Sequence, residues 1–222
     1  MSFLGLALFA EGSTDYRFLG SLLPRVVEEV YLAKGERPLE IGDVVPLTSP
    51  EEHRDSTREV KIAEAARVEA GSFHILFVHA DGGTRPTRVR GEQVTPGLAR
   101  ALAELGPGYA GVAVIPVREM EAWAVADGNA LRAAFRTTLS DAELGVPERP
   151  RDCESLRDPK AVLNSAFGNT LRGSRSRIAS TAAGSLQLIA ETIDLARLAD
   201  LPAFQSLRGE IEQALRHLKY IR

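Results

Sequence analysis

Apolar residues in this chain gather in short unbroken runs, and between the runs they recur at helical spacing. Leu6-Ala-Leu-Phe-Ala10 is the first run; it is too short for a buried helix and predicts an interior strand. It stops at Glu11-Gly12, where glycine lets the chain turn, and Ser13, Thr14 and Asp15 supply helix-start side chains. Phe18, Leu19, Leu22, Leu23, Val26, Val27 and Val30 then describe a long helix packed on a sheet, with Pro24 as a candidate kink and an end near Lys34-Gly35. Asp43 to Leu47 predicts a second strand, which Pro46 assigns to an edge or a strand end. Glu51 to Arg58 is polar and predicts a loop leading into a helix. Val60, Ala63, Ala66 and Val68 give that helix its apolar face, and Gly71 closes it.

Phe73-His-Ile-Leu-Phe-Val-His-Ala80 predicts a buried strand that stops at Asp81-Gly-Gly83. Thr84 to Gln93 has no apolar face and predicts a loop; Leu98, Ala101, Leu102 and Leu105 predict a helix ended by Gly106-Pro-Gly108. Gly111 to Val117 predicts the next strand, running into a helix over Arg118 to Asp127. This alternation specifies an α/β fold: a mainly parallel four-stranded sheet flanked by helices. Residues 140–159 are polar and proline-bearing and predict a linker or an ordered excursion. Helices over Pro159 to Phe167, Ser185 to Leu195 and Pro202 to Leu218 follow, with a basic loop from Arg172 to Arg177 after the first of them. The expected organisation is an α/β core over 1–139, with a linker and helical extension over 140–222 packed on it.

Composition narrows the classes. The 222 residues are 44% hydrophobic and 26% charged, as in a globular protein, and the net charge of −3 means that any polyanion site must be a local patch. A single cysteine, Cys153, allows neither a disulfide framework nor a cysteine-based zinc site within one chain and fits a reducing compartment. No apolar run approaches membrane-spanning length and no cleavable leader pattern opens the chain, so a cytoplasmic protein with no membrane partner is expected. No phosphate-loop signature, nucleophile elbow or zinc-protease motif is present.

The chemistry lies at the strand ends. Three predicted strands end in acids: Glu11, Asp81, and the pair Glu119 and Glu121, with Asp127 beyond them. In open α/β sheets ligands bind at the carboxyl edge of the strands. Carboxylates crowded there repel one another unless protonated or neutralised by a cation. Oxygen donors without cysteine favour Mg²⁺ or Mn²⁺ over zinc, and such ions serve phosphoryl chemistry. Glu119 and Glu121 would diverge by roughly 200° on one helix, so they share an ion only if the helix starts between them. Arg85, Arg88 and Arg90 follow the acid edge and are candidate phosphate contacts; Trp123 reads as a packing anchor.

Glu11-Gly-x-Thr-Asp15 after a strand, Asp81 at a strand end, Pro116-x-x-Glu119-x-Glu121-Ala-Trp123-x-x-Ala126-Asp127 and the later Asp158-Pro-Lys160 resemble the TOPRIM fold, in particular its small bacterial branch of DUF4276-type proteins related to OLD-family nucleases. The resemblance covers Leu6 to Asp127 well and the helical tail loosely. It implies a TOPRIM-like, Rossmann-type core with a C-terminal helical extension. It also implies a Mg²⁺- or Mn²⁺-dependent nuclease acting on DNA or RNA: Glu11 as general acid or base, Asp81 with Glu119 or Glu121 as metal ligands, and Asp15, His79 and Asp127 as auxiliary residues. Members of this branch are associated with ATPase partners, which implies an effector subunit in phage defence. The chain departs from the family pattern at His79, where the first aspartate of Asp-x-Asp is expected. His79 could ligate Mn²⁺ or shuttle a proton. A non-catalytic TOPRIM-like subunit that binds nucleic acid or an ATPase partner stays open as the alternative, as does a homo-oligomer.

Overall fold

Four strands form one all-parallel sheet in the order β2-β1-β3-β4. They are β1 (Ser2–Phe9), β2 (Leu39–Leu47), β3 (Ile75–His79) and β4 (Ala110–Val114). The computed structural model describes residues 2–170 and 182–222, so the basic Arg172 to Arg177 loop lies outside the described residues. β1 and β3 are interior and buried on both faces, which is why each reads as a continuous apolar run rather than an alternating one. β2 is an edge strand, and its Pro46 sits opposite Leu8 of β1.

Helices cover both faces. α1 (Ser13–Leu32) packs Phe18, Leu19, Leu22, Leu23, Val26 and Val27 on one face, in the cluster that holds Leu6, Leu8, Ile75, Phe77, Val112 and Val114. α2 (Arg58–Val68) and a helix over Thr95–Leu105 cover the other, against Ala7, Phe9, Leu76 and Val78. The alternation of strand residues between the two clusters is the period of two that a pleated strand imposes. The buried face of α2 is Ile62, Ala63, Ala65 and Ala66; Val68, expected on it, is exposed.

Two expectations change in the connections, and a third is decided between its alternatives. Thr84 to Gln93 is not a loop: α3 (Pro86–Val89) leads through a π-helical turn, Arg90–Val94, into α4 (Thr95–Leu105). Only Val94 of the first two pieces is buried, so this helical stretch carries no apolar stripe to betray it. Arg118 to Asp127 is not one helix. Arg118 takes the left-handed conformation (φ 67), α5 is the single turn Glu121–Ala124, and Asp127 caps the next helix, α6 (Gly128–Phe135). Residues 140–159 form an ordered excursion, with α7 (Asp141–Leu144) closed by a Ser140–Glu143 capping box and a 3₁₀ segment over Pro150–Ser155. Leu144 and Cys153 from this excursion are fully buried, and burial pushes the Cys153 thiol up to about 12, which leaves it unreactive.

The C-terminal part contains α8 (Pro159–Thr170), α9 (Leu186–Thr192), α10 (Leu195–Leu198) and α11 (Pro202–His217). Its Phe204, Leu207 and Ile211 belong to the same apolar cluster as α1, and Trp123 of α5 meets Phe204 edge-on, with ring centroids 5.5 Å apart. α11 also guards the exposed edge of the sheet: Glu210 accepts the free Ala113 N–H of β4 at 3.0 Å and is held there by Arg90. Among the described residues no helix is long and apolar enough to cross a membrane.

Candidate active site

The carboxyl ends of β1, β3 and β4 meet in one place because backbone contacts tie their loops together. At β1 the Tyr16 hydroxyl accepts the Ala10 N–H at 3.0 Å and donates to the Leu47 carbonyl at 2.6 Å, joining the ends of β1 and β2 to α1. Asp15 reaches back to accept the Gly12 N–H at 2.9 Å. Beyond β3 and β4, Gly82 N–H donates to the Pro116 carbonyl at 3.0 Å, and Gly83 and Arg118 exchange two backbone bonds of 3.0 and 2.9 Å. This seam sets Asp81 beside Glu119 and Glu121. Gly82 is required for the approach, since a Cβ there would stand 2.5 Å from the Pro116 carbonyl oxygen, a backbone atom that cannot rotate away. Gly82→Ala is expected to part the two loops and weaken any function that needs Asp81 and Glu121 together by at least about ten-fold. Far-UV circular dichroism together with an activity titration would check that.

Asp81 feels the charges of Asp15 and Glu119, Glu121 feels those of Glu119 and Asp81, and Lys160 is the cation that reaches Asp15, Asp81 and Glu121. The Asp81 side chain is 57% exposed, so solvent moderates its desolvation; that desolvation first, and then the charges of Asp15 and Glu119, push it up to about 6. Glu121 is only 5% exposed; burial, reinforced by Glu119 and Asp81, pushes it up to about 7. Burial raises Asp15 as well. Lys160 arrives from the start of α8, where Asp158 accepts the Ala161 N–H at 2.8 Å and caps the helix. Its own N–H donates to Glu119 Oε1 at 2.8 Å and its ammonium stands 3.9 Å from Glu121 Oε1. The helix does start between Glu119 and Glu121, so the two carboxylates are not forced apart by a helical turn.

His79 ends β3 between two of these acids, with Nδ1 3.7 Å from Asp15 Oδ2 and Nε2 3.6 Å from Asp81 Oδ1. Burial, and then the Arg58 charge, push its ring down to about 3, so it is neutral at ordinary pH and these contacts are not ion pairs.

Glu11 projects from the end of β1, its side chain 71% exposed, and Arg58 Nη1 donates to it. Arg58 is fixed at its other corners: Nη2 donates to the His79 carbonyl at 2.7 Å and Nε to the Gln93 carbonyl at 2.9 Å, while the guanidinium lies over the Phe9 ring. It links β1, β3 and the π-helical turn. Arg58, which begins a helix far along the chain from the acid it meets, does not stand out as a site residue in the sequence, and Lys160 enters the sequence reading only within a motif of the resemblance, with no role assigned to it. The helix-start pattern Asp158-Pro-Lys160 is the one signal for Lys160; nothing local marks Arg58.

Other sequence candidates are employed elsewhere. Asp127 is 2% exposed, accepts the Asn129 N–H at 2.9 Å as the cap of α6 and the Asp194 N–H at 3.0 Å, and so ties the C-terminal helices to the core. Arg88 pairs with Glu92 and Arg90 with Glu210. Arg85 is exposed, and among the described residues its side chain has no partner. Among the described residues no three His, Cys, Asp or Glu side chains stand close enough to enclose a metal ion. The donor chemistry nevertheless fits a hard divalent cation, since acids pushed up to about 6 and about 7 by crowding and burial are what such an ion relieves.

No family model, curated protein or solved structure matches the chain.

Proposed function

We propose that this chain is a nuclease that hydrolyses phosphodiester bonds in DNA or RNA with Mg²⁺ or Mn²⁺. The observation that carries the reading is the convergence of Asp81 and Glu121 from neighbouring strand ends, both pushed up by burial and by surrounding carboxylates. Asp81 with Glu119 or Glu121 would hold the ion, which when bound supplies charge neutralisation at the phosphate and a more acidic water. With few protein ligands, the ion would keep solvent in its shell, as Mg²⁺ does. Glu11, exposed at the end of β1, would accept or return the proton, and Arg58 would orient it. The Lys160 ammonium and the unpaired Arg85 supply positive charge for the nucleic-acid backbone. The resemblance to TOPRIM nucleases supports the same assignment and suggests an ATPase-associated effector in phage defence.

The Glu11–Arg58 ion pair favours a second reading, because it occupies the carboxylate assigned to the proton. On that reading the chain binds nucleic acid or an ATPase partner without cutting. Incubation of labelled plasmid DNA and total tRNA with the full chain separates the two. The nuclease cuts one of them with Mg²⁺ or Mn²⁺ and stops when the metal is chelated. Cutting that survives chelation contradicts the metal assignment, and binding without cutting in either metal supports the second reading.

A further inference from the structure

We infer that His79 Nε2 is a metal ligand and forms with Asp81 a nitrogen–oxygen pair that turns the site away from Mg²⁺ towards Mn²⁺. The inference rests on reading the acid edge as a metal site, and it adds to that edge a donor of a different kind.

His79 Nε2 is a buried side-chain atom with no hydrogen-bond partner among the described residues, on a side chain only 3% exposed. An orphaned polar atom of this kind is costly, and native folds retain few of them. This one is aimed at the acids: Asp81 Oδ1 stands 3.6 Å from it. That separation is too long for a hydrogen bond. Neighbouring donors on one octahedral ion, with bonds of about 2.1 Å, stand roughly 3.0 Å apart, so a side-chain adjustment of about half an ångström brings this pair onto a single ion.

The other ring nitrogen faces a second carboxylate across a similar gap. Nδ1 faces Asp15 Oδ2 at 3.7 Å, and Asp15 is itself held by the Gly12 N–H at 2.9 Å. Carboxylates flank both ring nitrogens, and an ion taken up at Nε2 would place the proton on Nδ1, facing Asp15. In carboxylate–histidine–metal groupings that proton is hydrogen-bonded to the carboxylate, so Asp15 would draw closer to Nδ1 once an ion is bound. Arg58 holds the His79 backbone carbonyl at 2.7 Å, so the ring is anchored from behind as well. Asp15, at the start of α1, would then act on the metal through His79, as a positioning residue. An imidazole nitrogen among carboxylates shifts preference from Mg²⁺ towards first-row transition ions, of which Mn²⁺ best tolerates oxygen partners.

The test is Mn²⁺ binding to the full chain followed by electron paramagnetic resonance, with Mg²⁺ competition and a pulsed measurement of ¹⁴N coupling. The expected result is Mn²⁺ bound at least about ten-fold more tightly than Mg²⁺, with an imidazole ¹⁴N coupling. In His79→Gln the coupling disappears and Mn²⁺ affinity falls by at least about ten-fold. If that variant does not fold, the ¹⁴N coupling of the wild type decides alone. Mn²⁺ bound without ¹⁴N coupling overturns the His79 assignment and leaves the carboxylate metal site standing. Failure of the wild type to bind Mn²⁺ overturns both.

Discussion

Glu121→Gln is expected to stabilise the protein by about 3 kcal/mol at pH 8 and by only about 1 kcal/mol at pH 5. The sign follows from the proton balance. The Glu121 carboxyl is held at about 7 in the fold against its ordinary 4.5, so the folded chain binds more protons than the unfolded chain between those values. Stability therefore falls as pH rises through that window, and the full penalty is present above it. Raising a carboxyl's titration midpoint by one pH unit costs about 1.4 kcal/mol once the group is ionised, and a side chain only 7% exposed receives little relief from solvent. Glutamine keeps the shape and the acceptor oxygen but not the charge. For a chain of this size the gain corresponds to a rise in melting temperature of roughly 5–10 °C at pH 8. Thermal unfolding of both proteins at the two pH values measures it, and equal melting temperatures at pH 8 would contradict the crowding of charge at this edge. A substitution that stabilises while removing a functional group is the expected signature of a site strained for function.

Trp123→Ala should be the most damaging single core change, with a loss of about 3–5 kcal/mol. The side chain is fully buried and its indole packs edge-on to Phe204, so it joins α5 to α11. Its removal opens a cavity where the single turn that carries Glu121 meets the C-terminal helices. Trp123 is the only tryptophan, so urea unfolding must be followed by circular dichroism rather than fluorescence. A loss below about 1 kcal/mol would show that α5 is not anchored through this contact.

The parts of the fold legible in the sequence are those that bury both faces of an element. The apolar runs ending at Ala10 and Ala80 announce interior parallel strands, and the position of Glu11 and Asp81 at the carboxyl edge follows from where the runs stop. The Thr84 to Gln93 stretch is illegible as a helix because it faces solvent, and pattern reading depends on a buried stripe. Arg118 to Asp127 carries apolar residues along most of its second half, so its left-handed break at Arg118 and its Asp127 cap leave no trace in periodicity. Arg88 and Arg90 read as free for phosphate only while their partners are left out. Glu92 lies one helical turn from Arg88 and is within reach of a local reading, whereas Glu210 comes from the far end of the chain. Arg58 and Lys160 enter the site only through tertiary packing. The acids of the edge are visible in the sequence; the cations that hold them are not.

Cleavage by the wild type, Glu11→Ala and Asp81→Asn, compared on the same DNA and tRNA in Mn²⁺, bears most closely on the proposed chemistry. Loss of the proton-transferring carboxylate or of the ion's anchor should each lower the rate by at least about 100-fold while circular dichroism stays unchanged. Wild-type cleavage retained in both variants would show that the acids at the strand ends are not the catalytic centre.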